Sequence, residues 1–289
     1  MARFIIQGGR RLSGTLTPGG NKNAALPMLA AALLTEESVT LHRVPRIADV
    51  RAMLELLRGL GVAVEERDDT VILCARGLRR SRLDKTLCAR LRASILFAGP
   101  LAARLGRATL APPGGDVIGR RRLDTHFLGL RALGVEVRGA RDYQFTRKAL
   151  RGADILLDEA SVTGTENTIM AACLAEGTTT LFNAACEPHV QDLCALLTAM
   201  GASIRGQGTN RLVIEGVPAL HGAEHVVQPD YVEIGSFVAA AALTGGELTV
   251  NGVVAEHLRP VALTFGKLGV GFTVENGVLR LPARRALRV

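Results

Sequence analysis

Four stretches of this 289-residue chain carry one pattern: an Ala/Leu-rich helix, a tight polar turn and a short strand containing threonine. They begin at Met28 (MLAAALLTEESVTL), Pro100 (PLAARLGRATL), Met170 (MAACLAEGTTTL) and Val238 (VAAAALTGGELTV), and their strand threonines are Thr40, Thr109, Thr180 and Thr249. The intervals between these threonines are 69, 71 and 69 residues, a period longer than that of common solenoids and suited to a stacked supersecondary unit. A second series keeps the same register. A helix ends on Leu-Gly or Met-Gly and runs into a strand at Gly61, Gly134, Gly201 and Gly269, where glycine suits a helix C-terminus that must reverse direction. Hairpin signals close the copies, as in VEERDDTVIL from Val64 and IRGQGTNRLVI from Ile204. Each copy therefore reads strand, helix, strand, helix, strand, strand. The fold class is α/β, with several sheets around a shared helical core.

The length suffices for a large core and for two domains. Aromatic residues make up only 3% of the chain and tryptophan is absent, so Ala, Leu, Val and Gly must fill the interior, a palette that suits small-residue helices against sheets. The most apolar run, FVAAAALTGG at 237–246, is too short to span a bilayer, and MARFIIQGGRRLSG lacks the apolar core of a secretory signal. We expect a cytoplasmic protein. The five cysteines (Cys74, Cys88, Cys173, Cys186, Cys194) form no C-x-x-C pair, so neither a disulfide framework nor a zinc site is indicated. The net charge of +8 admits polyanions as partners, yet the arginines fall in short scattered groups with no aromatics between them to stack bases. That argues against nucleic acid and leaves small anionic metabolites.

Two motifs carry chemistry. PPGGDVIGRRRLDTH, from Pro112 to His126, sets Asp116 between a glycine pair and three consecutive arginines. The glycines let this loop bend, and Arg120, Arg121 and Arg122 supply forked donors for phosphate or carboxylate, so a proton donor near bound anions is one reading and a solvated basic turn the other. Upstream, GGNKNAALP puts Lys22 and Asn23 just before the first repeat helix. Exposed amides and the helix dipole favour an anion there, although an ordinary helix cap reads the same way. His126 follows the loop and is placed to hold it closed. His189, His221, His225 and His257 read as surface or turn residues.

Taken with LRASILFAGPLAARLG around Arg92, LDEASVTGTENTIMAACLAEGTT from Leu157 and QPDYVEIGSF from Gln228, these motifs resemble, in order and with few gaps, the UDP-N-acetylglucosamine 1-carboxyvinyltransferase family of enolpyruvyl transferases. The resemblance implies an inside-out α/β barrel of βαβαββ units. It implies a complete three-unit domain over 21–230 with the catalytic loop, and an incomplete second domain from 1–20 and 231–289. About four of the family's six units are present. It implies transfer of the enolpyruvyl group of phosphoenolpyruvate to the 3'-hydroxyl of UDP-N-acetylglucosamine, with phosphate release, for peptidoglycan biosynthesis. The partners are those two small molecules, and no cofactor or metal is implied.

The catalytic set implied is Asp116, where most members carry a proton-donating cysteine, with Lys22 and Arg121 as an electrostatic clamp. The substrate-binding set implied is Lys22, Asn23, Arg92, Arg121, Arg122, Leu123, Asp124, Thr125, Glu159, Ala160, Ser161, Val162 and Asp230. Three positions depart from the family pattern: Glu159 where Lys is usual, Arg122 where Pro is usual and Tyr231 where Arg is usual. Glu159 also reads as a plain surface residue, and Asp230 as a helix cap. The fourth copy without its neighbours would expose apolar faces, an invitation to self-association. The alternative function is a non-catalytic homologue that retains at most UDP-sugar binding.

Overall fold

A computed structural model describes residues 3–115, 119, 121–139, 141–283 and 287. They fall into two compact units: Lys22–Gln228, and the flanking stretches up to Asn21 and from Pro229 onward.

The larger unit contains three sheets built to one plan. The first runs Ala223–Val226, Ser38–His42, Thr70–Cys74, Ala63–Arg67, and the third runs Asp154–Leu156, Thr178–Phe182, Arg211–Glu215, Ser203–Arg205. In both, a parallel lead strand sits beside the threonine strand, and the closing hairpin adds two antiparallel strands. The second sheet runs Arg107–Leu110, Tyr143–Arg147, Val135–Arg138, and its lead strand shrinks to a parallel bridge between Arg82 and Thr109. The threonines spaced about 70 residues apart occupy one register: Thr40 lies between Glu224 and Ile72, Thr109 between Arg82 and Gln144, Thr180 between Asp154 and Val213. The first copy borrows its lead strand, Ala223–Val226, from the far end of the unit, which ties the two ends together.

Helix burial follows from composition. Lys22–Ala31 is buried from Ala24 to Ala31, Ala98–Leu105 from Ala98 to Ala103, and Val162–Ala172 from Gly164 to Ala172, because a helix that is small and apolar all round has no face to give to water. The first and second of these both pack on Val162–Ala172 and form the centre of the core. The other helix of a copy is amphipathic. Ala48–Leu60 buries Val50, Met53, Leu54, Leu57 and Leu60 at helical spacing and ends on Gly61, whose φ of +98° is the left-handed stop the sequence pointed to. The threonine strands show one buried and one open face, as in Ser38–His42 and Thr178–Phe182.

The smaller unit repeats the plan. Gly14–Leu16 is the parallel lead strand beside Leu248–Asn251, followed by Val278–Leu281 and Thr273–Glu275, so Thr249 sits between Thr15 and Arg280. Its helices are less covered. Tyr231–Thr244 buries only Ile234, Val238, Ala241 and Ala242, Arg259–Lys267 buries none, and Leu243 and Leu263 are 72% and 67% exposed. Among the described residues, no helix is long and apolar enough to cross a membrane.

Candidate functional site

A cavity of about 580 Å³ opens in the larger unit where parts of all three copies converge. Lys22, Asn23, Leu26 and Pro27 come from the first inner helix. Arg90 to Ala93, with Leu96, precede the second, and Val162, Thr163 and Glu166 belong to the third. Gly115, Arg121, Arg122 and His126 come from the basic loop and the helix after it, while Glu159, Ser161, Asp49 and His189 complete the wall. Two helices, Lys22–Ala31 and Val162–Ala172, begin at this wall, and neither has an acidic residue in its first turn. Their amides and dipoles favour a bound anion.

The charges agree with the backbone. Lys22, Arg90, Arg92, Arg121 and Arg122 face the cavity against Asp49, Glu159 and Glu166. Lys22 pairs with Asp49 at 2.5 Å. Arg92 is half-buried and its Nη2 donates to the Arg122 carbonyl at 2.7 Å. Burial, and then the charge of Arg121, pull the Arg92 guanidinium below its ordinary pKa, a strain that a bound anion relieves.

A buried hydrogen-bond chain fixes the floor. The Gly99 N–H donates to Asn167 Oδ1 at 2.7 Å, which orients the amide, and Asn167 Nδ2 donates to the Ile95 carbonyl at 2.9 Å and to His126 Nδ1 at 3.2 Å. Since His126 Nδ1 accepts, its Nε2–H must donate to Thr163 Oγ1, 3.1 Å away. Burial, then Arg92, holds His126 down at about 3, so the ring is neutral. Thr163 is left with its own hydroxyl proton to offer.

The structure brings Lys22, Asn23, Arg92, Arg121, Arg122, Glu159, Ser161 and Val162 to one cavity. The lining leaves out Leu123, Asp124, Thr125 and Ala160. Leu123 is buried in the core, Asp124 pairs with Arg122, and Thr125 Oγ1 donates to Asp158 Oδ1 at 2.7 Å, which ties the basic loop to the 158–162 turn. Ser161 caps the third inner helix by accepting from the Gly164 N–H. Asp230, in the smaller unit, caps Tyr231–Thr244 by accepting from the N–H groups of Val232 and Glu233 at 2.9 and 3.1 Å. Asp116 and Arg120 lie outside the described residues. Gly114 and Gly115 before them press on the backbone of Ala89 and Arg92 so closely that a Cβ at Gly114 would lie 1.6 Å from the Ala89 oxygen.

Two histidine expectations are corrected: His225 sits on the strand Ala223–Val226 with its side chain 14% exposed and its Nε2 2.8 Å from Asp192 Oδ1. His189, the second residue of the helix Pro188–Ala199, is only 5% exposed and lines the cavity. Sequence reasoning also passed over Asp49, Thr163, Asn167 and Glu166. The signal available was a run of polar side chains, Thr165 to Thr168, inside an otherwise apolar helix.

Inner helices ringed by sheets of this topology, with a cationic cavity at the helix starts, define an enolpyruvyl transferase scaffold. The profile of EPSP synthase (3-phosphoshikimate 1-carboxyvinyltransferase) matches residues 6–283. The enolpyruvyl transferase NikO from Streptomyces tendae superimposes with a TM-score of 0.85 at 23% identity, covering 98% of this chain and 68% of that one. EPSP synthase from Acinetobacter baumannii does so at 0.78 and 22%. UDP-N-acetylglucosamine 1-carboxyvinyltransferase of Treponema denticola is 52% identical over this whole chain and 68% of its own length, and that of Bradyrhizobium diazoefficiens is 49% identical over 99% and 67%. The chain belongs to the UDP-N-acetylglucosamine 1-carboxyvinyltransferase family.

Proposed function

We propose that this protein transfers the enolpyruvyl group of phosphoenolpyruvate to the 3'-hydroxyl of UDP-N-acetylglucosamine with release of phosphate, a step of peptidoglycan biosynthesis. The observation that carries the reading is the convergence of Lys22, Asn23, Arg92 and Arg121 on one cavity at two helix starts, in a chain 52% identical to a relative of that name. The 3'-hydroxyl gives up its proton to solvent as its oxygen bonds to C2 of phosphoenolpyruvate, and the methylene carbon C3 takes a proton from the acid, giving a tetrahedral intermediate. C3 then returns a proton as the C2–O bond to phosphate breaks. Lys22 and Arg121 form the clamp that stabilises charge on the phosphate and carboxylate. Asp116 is the acid we assign to C3. Gly115, its neighbour in the chain, lines the cavity, and nearby anionic substrates favour a carboxyl that keeps its proton.

By the same reading the enzyme acts in the cytoplasm and serves cell-wall growth, and through it cell shape and division. Exposed Val232, Leu243 and Leu263 support self-association through the smaller unit, which sedimentation velocity across a concentration series tests. The function itself is tested by phosphate release. The protein with phosphoenolpyruvate and UDP-N-acetylglucosamine should liberate phosphate, and should not with phosphoenolpyruvate and 3-phosphoshikimate; the reverse preference, or no release with either, overturns it.

A further inference from the structure

Glu166 stands out because a carboxyl group at the cavity wall has nothing to bond to. It is 1% exposed, it lines the cavity, and neither of its oxygens has a hydrogen-bond partner among the described residues. Buried polar atoms are nearly always paired, and an orphaned carboxyl costs stability. A chain that keeps one beside its ligand cavity is read most simply as keeping it for the ligand.

We propose that Glu166 is a specificity-determining residue that hydrogen-bonds the amino-sugar part of the substrate, through its acetamido N–H or a neighbouring hydroxyl. This rests on the functional reading above. The choice of a neutral partner follows from the surroundings. Lys22, Arg92, Arg121 and Arg122 supply the attraction for phosphate and carboxylate, whereas Glu166 faces the field of Glu187, a second carboxyl with a buried, unpartnered oxygen. An anion gains nothing there. Burial and then Glu187 hold the Glu166 carboxyl well above the ordinary range, so it keeps a proton to donate as well as a lone pair to accept, and a sugar hydroxyl or amide can use both. His189 also lines the cavity, and Cys194 lies on the helix that follows, Pro188–Ala199. Burial raises that thiol to about 12, so it adds no charge of its own.

The test compares two ligands by calorimetry, UDP-N-acetylglucosamine and UDP, on the parent, Glu166→Leu and Glu166→Gln. We expect Glu166→Leu to weaken UDP-N-acetylglucosamine roughly ten- to hundredfold while leaving UDP unchanged, and Glu166→Gln, which keeps an acceptor and a donor, to stay within about threefold of the parent. Equal losses for both ligands, no loss for either, or a Gln variant as weak as the Leu variant would each overturn the proposal. A parent that binds UDP-N-acetylglucosamine no better than UDP instead removes the functional reading on which it stands. If Glu166→Leu does not fold, the parent still decides the matter by infrared difference spectroscopy. The carboxyl band that vanishes in Glu166→Gln should move on adding UDP-N-acetylglucosamine and not on adding UDP, and a band unmoved by both refutes the contact.

Discussion

Replacing Asn167 by leucine keeps the branched outline of the side chain and removes the hydrogen bonds by which it joins the third inner helix to residues of the second copy beneath the cavity. Asn167 is wholly buried, and two groups lose this partner at once, the Gly99 N–H and His126 Nδ1, while the Ile95 carbonyl keeps the Ala98 N–H. Each orphaned buried group costs about 1–3 kcal/mol, so at the low end the substitution costs about 2 kcal/mol, a sizeable share of the roughly 5–15 kcal/mol that holds a protein folded. For a unit of this size that corresponds to a fall in Tm of roughly 4–8 °C. Thermal melts by circular dichroism, with urea midpoints at unchanged m-value, measure it. A loss below about 1 kcal/mol would refute the view that this side chain bears the junction, since it would mean both groups find other partners.

Other tests address single contacts. Gly129→Ala forces a Cβ to within 2.1 Å of Thr168 Oγ1 and should cost about 1–3 kcal/mol by urea titration; no loss would mean the two helices separate freely. Arg92→Met removes the donor to the Arg122 carbonyl and a cavity cation, and should weaken UDP-N-acetylglucosamine binding by roughly tenfold or more in calorimetry, a loss that unchanged affinity would contradict. Glu166 sets a pH signature. Its folded pKa is raised, so the folded state holds the extra proton and this stabilising contribution is full below the unfolded carboxylate pKa and lost as pH rises through the folded one; Glu166→Gln should therefore gain stability over the parent as pH rises, and a pH-independent difference counts against it. For the proposed acid, Asp116→Asn should lower phosphate release about 10²–10⁴-fold with UDP-sugar affinity intact, and a thiol-alkylating epoxide should label Asp116→Cys but not the parent at residues 112–122; label on the parent loop, or full activity in the Asn variant, removes Asp116 from the role.

The repeat was legible because its signals are local. Threonines near every 70th residue, glycine stops such as Gly61 and apolar helix runs each report a backbone preference within a few neighbours, and in the structure these threonines sit between equivalent partners. Lys22, Asn23, Arg92 and Arg121 were legible through resemblance, as side chains suited to anions, and they do face one cavity. The tertiary structure alone decided the rest. It turned His189 inward, gave Thr125 and Asp230 structural bonds, and fixed the His126 tautomer through contacts between residues 37 to 72 positions apart. It also left Glu166 facing the cavity without a partner. Such roles depend on which copy packs against which, and no window of sequence contains both sides of those contacts.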